Sequence, residues 1–373
     1  MAEYLTNTTD LTKVASAIRA KGGTSGSLVY PDEFVTAIQA IQTGTELQII
    51  VTVASGATVT ATKGSLSVSG TSVNETCMLT VPEEGEWTVS ATLGEETSKS
   101  NIVNVVSSYD TTLVFISATL NDNSWETIRG ISDAGIGANY WSIGDRKEIT
   151  LNGTVGHLSL TNYTTYAFII GFNHNASVEG ANRIHFQLAK TALSGGTDVC
   201  LCDSKYAPDN GWASAGAGYF AMNARNMNSG GWASSQMRTA ICGTIIEVIP
   251  AALRAVLKSV TKYTDNTANG GGSTASYVTA TTDYFFLLSE FEVFGSISYG
   301  NTNEKNKQAQ YAYYSAGNSK IKYKHDGTST AAYWWSRSPS VSGSINFVAV
   351  ENTGTVNYGS ANFSLGLAPG FCV

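Results

Sequence analysis

The sequence predicts an α+β protein in which strands predominate and helices are the minority. Only 14% of its 373 residues are charged, whereas 37 are glycine and 18 are tyrosine, and such a composition favours β structure and ordered loops over helical bundles. A chain of this length has room for two or three domains, and 42% hydrophobic residues suffice for their cores. From the hydrophobic pattern we predict three regions, at residues 1–45, 46–108 and 109–373.

The first region, residues 1–45, is predicted to form a short helical hairpin, because apolar side chains recur there at helical spacing. The two apolar stripes consist of Leu11, Val14, Ala15 and Ile18, and of Phe34, Ile38 and Ile41. The motifs Ala-Ile-Arg-x-Lys-Gly, from residue 17, and Tyr-Pro-Asp-x-Phe, from residue 30, resemble the N-terminal segment of tail proteins of phages that infect Firmicutes. This resemblance implies a virion-attachment segment. A small capping hairpin is the alternative.

The second region, residues 46–108, is predicted to be a small β-sandwich. Apolar residues alternate with polar ones from Leu47 through Ile49, Val51 and Val53 and beyond, and short strands at this spacing are typical of sandwiches. Residues 82–89, Pro-Glu-Glu-Gly-Glu-Trp-Thr-Val, resemble the penultimate hairpin of immunoglobulin-like modules. The resemblance implies an immunoglobulin-like spacer, a role that needs no site chemistry.

The third region, residues 109–373, is predicted to be one large domain, because no obvious linker interrupts it. Two helices are expected, one around residues 235–238 and one after Pro250 whose apolar face includes Leu253, Val256, Leu257 and Val260. The predicted strands cover residues 166–172, 184–188, 245–249, 284–288, 345–350 and 354–358.

Charge, cysteines and histidines exclude several classes of function. A net charge of −7 argues against a nucleic-acid partner, which needs clustered Lys and Arg. We find neither an export signal nor a membrane-spanning apolar run, so we expect synthesis in the cytoplasm and no membrane insertion. The five cysteines are scattered, and we expect them to be mostly reduced and buried. The four histidines lie in no catalytic motif, so we expect no enzyme activity, metal or cofactor.

The C-terminal segment carries the strongest functional signal. Residues 340–365 are rich in Ser, Asn, Gly, Thr and Tyr and lie between two rigid ends, 333–339 and 366–373, and this composition is typical of adaptable binding surfaces. The predicted ligand-binding residues are Tyr333, Ser336, Ser340, Ser342, Ser344, Asn346, Val348, Val350, Asn352, Thr355, Asn357, Tyr358, Ser360, Asn362, Phe363 and Leu365. The predicted scaffold residues are Trp334, Trp335, Arg337, Trp232 and Arg238.

Two sets of residues within this region allow alternative interpretations. Trp334 and Trp335 either stack on a sugar ring or anchor the core beside a planar cation. Glu290 and Glu292 either offer free carboxylates or pair with Arg238 or Arg337. We favour the structural interpretation in both cases.

The tetrapeptide Gly-Trp-Ala-Ser occurs twice, at residues 211–214 and 231–234. The first copy lies in a stretch rich in Gly, Ala and Asn, so we expect it in a surface loop. We expect the second copy to be buried.

A series of seven motifs along residues 115–373 resembles an uncharacterised domain family common in Firmicutes and their prophages. In order, the motifs are Trp125-Glu126, Tyr140-Trp141-Ser142-Ile143-Gly144-Asp145 and those at residues 168–174, 231–238, 287–293 and 334–339, followed by Phe371-Cys372. That family is similar to the formylglycine-generating-enzyme branch of the C-type lectin fold, which also contains variable proteins diversified by retroelements. The resemblance implies a C-type-lectin fold with a ligand face near the C-terminus.

Several departures from these relatives limit what the resemblance implies. Family members usually carry Leu where this chain has Ser336 and end in Gly-Val-Arg-Pro-Ala-Phe, where residues 366–371 read Gly-Leu-Ala-Pro-Gly-Phe. The latter ending resembles that of retroelement-diversified proteins, and mutagenesis of Asn codons yields many of the residue types found at 340–365. The copper-binding relatives need paired cysteines, but Cys242 and Cys372 lack the catalytic motif. The Glu-Pro-Asn and Trp-Asn-Asp runs of calcium-dependent lectins are missing from the sequence.

Taken with these resemblances, the sequence predicts a phage or prophage tail-tip receptor-binding protein. Its expected partners are a host-cell surface protein or glycan, other virion tail proteins and further copies of itself, as a homotrimer by analogy. The alternatives are a structural tail or baseplate subunit that binds no receptor, and a relic oxidase-like enzyme with a cleft near Cys242.

Overall fold

A computed structural model describes residues 8–20, 27–30, 32–39, 46–94, 96–98, 100–113 and 115–373. The chain divides into two compact units, residues 1–116 and 117–373. Strands form most of the regular structure and the helices are few and mostly short, in agreement with the predicted α+β class. No helix within the described ranges is long and apolar enough to cross a membrane.

Two helices of the first unit pack against each other through small and aromatic side chains. They are α1, Thr8–Ala20, and α2, Asp32–Gln39. Ala15 and Ile18 of α1 form a buried cluster with Phe34 and Ala37 of α2. Val14 and Ile38, which were expected in the apolar stripes, are 45% and 51% exposed, and Ile41 lies outside the described residues.

The rest of the first unit consists of two sheets that share one core. Its strands are β1 Gln48–Thr52, β2 Thr58–Lys63, β3 Leu66–Thr71, β4 Thr76–Thr80, β5 Gly85–Leu93, β6 Glu96–Thr97, β7 Asn101–Val105 and β8 Ser108–Thr112. One sheet has the order β4-β1-β8, and the other has the order β3-β2-β5-β6, with β7 also paired to β5. Trp87 and Val89 of β5 bury their side chains against Ile49 and Val51 of β1, as the period-two pattern predicts.

The second unit contains the remaining helices and strands. Its helices are α3 Trp125–Asp133, α4 Ala176–Glu179, α5 Gly231–Ser234, α6 Gly243–Val248, α7 Ala251–Arg254, α8 Glu290–Phe294 and α9 Ala312–Ser315, with a π-helical turn at Met237–Cys242. Its strands are β9 Arg146–Val155, β10 Leu158–Phe172, β11 Ile184–Lys190, β12 Val199–Cys200, β13 Val260–Asp265, β14 Val278–Asp283, β15 Phe285–Phe286, β16 Lys322–Lys324, β17 Gly327–Ala332, β18 Trp334–Pro339, β19 Asn346–Val350, β20 Val356–Ser360 and β21 Gly370–Cys372.

A five-stranded sheet of order β15-β21-β11-β10-β9 is the largest in this unit. The last strand, β21, lies inside it, antiparallel to both β11 and β15. Phe371 on β21 stacks on Phe186 with ring centroids 5.3 Å apart and meets Phe285 at 5.4 Å. Residues far apart in sequence therefore close one core.

Three smaller sheets complete the unit, with orders β18-β19-β20, β12-β16-β17 and β13-β14. In the first, β19 is the central strand and pairs antiparallel with β18 and β20. This sheet carries most of the C-terminal segment predicted to bind a ligand.

Two sequence predictions of secondary structure are wrong in this unit. Residues 245–249, predicted as a strand, belong mostly to α6, because Ile245 and Val248 are spaced to share one helical face that is buried against β9. Of the residues predicted on one helical face after Pro250, only Leu253 lies in α7, which ends at Arg254. Val256 and Leu257 follow the helix, and Val260 begins β13. The strands predicted at 184–188 and 345–350 coincide with β11 and β19 to within two residues, and the one at 166–172 is the second half of β10. Those at 284–288 and 354–358 overlap β15 and β20.

Candidate ligand-binding surface

Strand β18 forms a buried base for the C-terminal segment. All six of its residues are buried, and its two tryptophans donate hydrogen bonds to main-chain oxygens. Trp334 Nε1 lies 2.9 Å from the Lys320 oxygen, and Trp335 Nε1 lies 2.9 Å from the Phe220 oxygen. Because both rings are fully buried, they anchor the core, and a ligand in solvent does not reach them.

Arg337 of β18 is held in a fixed orientation by a buried carboxylate. Its guanidinium bonds both oxygens of Glu292, with Nη2 2.9 Å from Oε1, and Nε donates to Thr264 Oγ1 at 2.7 Å. Burial alone would raise the pKa of Glu292, but Arg337 and Lys262 hold it well below its ordinary value. Two hydrogen bonds to one planar cation fix the strand against α8.

Lys262 connects this ion pair to a second buried carboxylate. Its Nζ lies 2.5 Å from Glu179 Oε2, 3.0 Å from Glu292 Oε1 and 2.8 Å from the Tyr311 hydroxyl. The ammonium group also lies 4.2 Å from the centre of the Phe286 ring. We call Glu179, Lys262, Glu292, Arg337 and the two histidines described next the buried network.

His174 and His185 complete the network as neutral side chains. His174 stacks on Tyr311 at 3.7 Å, and burial together with the charge of Lys262 lowers its pKa to about 3. Burial likewise lowers the pKa of His185 well below its usual value, and its Nδ1 lies 3.1 Å from the Tyr311 hydroxyl. The histidines therefore remain uncharged at neutral pH.

The donor atoms of the buried network have a spacing that suits a metal ion. The positive charge that would balance the two carboxylates is, however, already provided by Lys262. His174, Glu179 and Glu292 offer ligand atoms within 4.8 Å of one another. The Lys262 ammonium contacts both carboxylates, and Arg337 engages both oxygens of Glu292. We therefore interpret the network as a structural ion-pair cluster. Three members of the network, His174, Glu292 and Arg337, lie in motifs singled out in the sequence, and a pair between Glu292 and Arg337 was one of the expected alternatives. Glu179, His185 and Lys262 lie in no such motif and were not anticipated.

The other scaffold residues and acidic residues have separate partners. Arg238 Nε pairs with Asp283 Oδ1 at 2.6 Å, and Trp232 Nε1 donates to Asp283 Oδ2 at 3.1 Å. Of the two glutamates considered from the sequence, Glu292 pairs with Arg337 and Glu290 accepts main-chain N–H groups, at 2.7 Å from Gly300. Neither carboxylate is free to act on a ligand.

Five of the predicted ligand-binding residues are not on the surface, which corrects that part of the prediction. The buried residues are Ser336, Ser340, Val348, Val350 and Leu365. Ser336 belongs to the buried strand β18, and the valines belong to β19, which has a neighbouring strand on each side. The sequence prediction treated the whole segment as exposed, whereas the sheet buries its first two strands.

The other predicted residues reach solvent to different degrees. The exposed residues are Ser342, Ser344, Asn352, Thr355 and Tyr358, and the partly exposed ones are Tyr333, Asn346, Asn357, Ser360, Asn362 and Phe363. Tyr358, on the edge of its sheet, meets the ring of Tyr299 at 5.0 Å. Together these residues form a polar surface with aromatic rings.

Three aromatic side chains meet at one end of this surface. The Trp212 ring lies 5.2 Å from Tyr333 and 5.7 Å from Phe363. Trp212 is 41% exposed. We call these three residues the aromatic patch. Trp212 was predicted to lie in a surface loop but was not among the predicted binding residues, because it precedes Tyr333 by more than a hundred positions.

The loop that carries Trp212 is fastened to the C-terminal segment by hydrogen bonds. Ser214 forms an isolated β-bridge with Phe363, and Asn362 Nδ2 donates to Ser214 Oγ at 2.6 Å. The Ala215 N–H also donates to the Asn362 main-chain oxygen at 2.8 Å. The aromatic patch is thus a fixed feature of the surface.

Two charged groups near the patch, Glu351 and Lys324, have hydrogen-bond or ion-pair partners. Glu351 accepts hydrogen bonds from Thr355 Oγ1 at 2.9 Å and from Asn357 Nδ2. It lies near enough to Tyr333 to add to the effect of burial in raising the pKa of that hydroxyl. Lys324 Nζ pairs with Asp209 at 2.5 Å.

The five cysteines are free and buried, as predicted from their scatter. Burial raises the pKa of Cys242 above its usual range and that of Cys372 to about 12. A buried thiol that stays protonated is a poor nucleophile and a poor metal ligand. The relic-oxidase alternative therefore gains no support from these side chains.

In comparisons with known proteins, one family model matches part of the chain. Residues 215–373 match a family model described as Domain of unknown function (DUF6273), which is under half of the chain. Neither the comparison with curated proteins nor that with solved structures returned a match. The matched part contains β18 to β21 but begins after Trp212, so the aromatic patch combines residues inside and outside it.

Proposed function

We propose that this protein is a phage or prophage tail receptor-binding protein, located at the tail tip, that attaches to a host-cell surface ligand. In this proposal residues 117–373 form a C-type-lectin-like domain related to formylglycine-generating enzymes. The two sheets at 46–116 form an immunoglobulin-like spacer, and the helical pair attaches to other tail proteins. The last strand, β21, brings Phe371 to Trp125 of α3, with ring centroids 6.3 Å apart. This meeting of the two ends of the domain supports the lectin-like interpretation.

The main support for this proposal is the contrast between the buried strand β18 and the exposed residues of the segment that follows it. Strand β18 is locked by buried tryptophans and by the Arg337–Glu292 pair, whereas the following segment presents Tyr358, Asn352 and other hydrogen-bonding side chains to solvent. A rigid base below a polar and aromatic face is an arrangement suited to recognition. Further copies of the chain, as a homotrimer, would add avidity.

The proposal includes diversification of this surface by a retroelement. Exposed positions can vary without loss of the fold, whereas buried ones cannot. In sibling genomes we expect variation at Ser342, Asn352, Thr355 and Tyr358 but not at Trp335 or Arg337. Equal conservation at both groups, found by sequencing related prophages, would remove this part of the proposal.

Binding of the purified full chain to intact bacterial cells tests the receptor-binding role. We would compare the protein with a variant in which Tyr333, Asn357, Tyr358 and Asn362 are replaced by Ala, on a panel of Firmicutes and other bacteria. As a matched control, Tyr284→Ala removes a tyrosine that is 50% exposed and lies outside the surface.

Strain-selective binding that the fourfold variant loses and the control keeps is the expected result. If the folded protein binds no strain in any multimeric form, the receptor-binding role is wrong. That outcome would favour a structural tail or baseplate subunit.

A further inference from the structure

We propose that the ligand of this surface is a neutral glycan, and that the aromatic patch of Trp212, Tyr333 and Phe363 forms the platform for one of its sugar rings. The inference rests on the proposed receptor-binding function and specifies its ligand class. It also adds Trp212, which lies outside the C-terminal segment, as the main contact residue.

The first support is that Trp212 exposes its ring to solvent from a strained backbone. Its φ of 63° lies in the left-handed region, where a residue with a side chain is strained. Its N–H donates to the Ala207 oxygen at 2.6 Å, and Ser214 two residues later is bridged to Phe363. A large apolar side chain held at the surface by a strained backbone is more readily explained by recognition than by stability.

The second support is the shape of the patch. The rings of Tyr333 and Phe363 lie at 85° and 56° to the Trp212 indole, with centroids 5.2 and 5.7 Å from it, so the three rings form one compact aromatic cluster. The C–H face of a pyranose is apolar and about as wide as an indole ring, and its hydroxyls point outward from the rim. An exposed indole with flanking rings matches such a ligand better than it matches an extended peptide.

The third support is the chemistry around the patch. Ser214 and Asn362 lie at its edge and are bonded to each other at 2.6 Å, and Tyr333 is partly exposed. These groups both donate and accept hydrogen bonds, as sugar hydroxyls do. A small number of polar groups beside an apolar contact is the usual arrangement of a small-ligand site.

Charge separates a neutral glycan from an anionic one. The nearby Lys324 is already paired with Asp209, and Glu351 adds a negative charge close to Tyr333. A phosphate or carboxylate on the ligand would meet repulsion from Glu351 without a free cation from Lys324 to offset it. We therefore expect binding that changes little with ionic strength.

The test uses the full-length protein and cells of a strain that it binds. Cells are left untreated, oxidised with periodate to destroy sugar diols, or treated with protease to remove surface proteins. Trp212→Ala is compared with the control Tyr284→Ala, and Trp212→Gly serves as a second variant because glycine adopts a positive φ without strain. Thermal unfolding confirms that each variant is folded.

The expected result is that both Trp212 variants bind untreated cells roughly tenfold or more weakly, while Tyr284→Ala binds normally. Periodate abolishes binding, and protease and added salt do not. Binding that survives both Trp212 variants, that protease removes, or that falls steeply with salt overturns the glycan inference and leaves the receptor-binding role intact. Failure of the wild-type protein to bind any strain overturns both.

Discussion

The tetrapeptide Gly-Trp-Ala-Ser occurs at residues 211–214 and again at 231–234, and the fold places its two tryptophans in opposite environments. Trp232 lies in α5, is fully buried and donates to Asp283 at 3.1 Å. Trp212 lies in a loop, is 41% exposed and contacts other aromatic rings at the surface. Four identical residues therefore serve the core in one place and form a surface contact in the other.

The glycines that precede the two tryptophans have similar backbone conformations but different surroundings. Both have positive φ, 66° at Gly211 and 52° at Gly231. A Cβ on Gly231 would lie only 1.9 Å from the Asp265 main-chain oxygen, whereas at Gly211 nothing lies within 4 Å. The surroundings, and not the tetrapeptide itself, decide which tryptophan is buried.

Replacing each tryptophan by alanine gives the largest expected contrast in stability. Trp232→Ala removes a fully buried ring and should lower the free energy of unfolding by about 3–5 kcal/mol. Trp212→Ala loses only surface ring contacts and should cost about 0.5–1.5 kcal/mol. Urea unfolding followed by circular dichroism measures both. Equal losses would contradict the separation into core and surface.

A comparable loss is expected when the buried network is broken. Arg337→Met removes one of the cations that balance the fully buried carboxylate of Glu292. Breaking a buried ion pair in this way lowers the free energy of unfolding by about 3–5 kcal/mol. Replacing both partners, with Arg337→Met and Glu292→Met, should restore part of that stability, because no uncompensated charge remains. A single variant as stable as wild type would show that the pair does not anchor β18.

The sequence predicted the class of the fold and several of its strands. It did not predict features that depend on contacts between residues far apart in the chain. The strands predicted at 184–188 and 345–350 match β11 and β19, and the one predicted at 166–172 is the second half of β10. The run around Ile245 is rich in β-branched residues and was predicted as a strand, yet packing on β9 makes it helical. Burial of Val348 depends on strands on either side of β19, which a local pattern does not reveal.

The candidate site could be predicted only in part, again because some of its contacts join residues far apart in the chain. Composition indicated exposure after β18, which is correct for residues such as Ser342 and Tyr358 but wrong for β19. The two Gly-Trp-Ala-Ser copies were correctly assigned to loop and core. Trp212 could not be placed beside Phe363 from sequence, because the bridge between Ser214 and Phe363 joins distant positions. Lys262 and Glu179 of the buried network meet across a similar separation.

The interior below the surface also predicts a pH dependence. Glu304 is fully buried beside Ser338, whose hydroxyl lies 2.6 Å from its Oε2, and burial raises the pKa of Glu304 from 4.5 to about 7. Between these pH values the unfolded chain loses a proton that the folded chain keeps, so this group's contribution to stability is full below pH 4.5 and falls as pH rises towards 7.

The size of that effect follows from the shift in pKa. Relative to Glu304→Gln, the wild-type protein should lose about 3 kcal/mol of stability between pH 4 and pH 8. Denaturant unfolding of both proteins across this range measures the difference. Parallel stability curves would mean that the carboxyl of Glu304 titrates normally in the fold.

The smallest expected effect is the difference in stability between alanine substitutions at the two glycines. Gly211→Ala and Gly231→Ala introduce similar left-handed strain, so that strain largely cancels when the two are compared. The remaining difference is overpacking against Asp265, and Gly231→Ala should be less stable than Gly211→Ala by about 1–3 kcal/mol. Thermal unfolding of the matched pair provides the measurement, and equal melting temperatures would contradict the close approach at Gly231.

Hydroxyl-radical footprinting of the full-length protein, free and bound to cells, tests the central claim most directly. In the free protein we expect oxidation of Trp212 and Tyr284 but not of the buried Trp232. On cells we expect Trp212 and Tyr358 to become protected, while Tyr284 remains reactive. Protection of Tyr284 with Trp212 still fully oxidised would contradict the account, because the ligand would then occupy a different face of the domain.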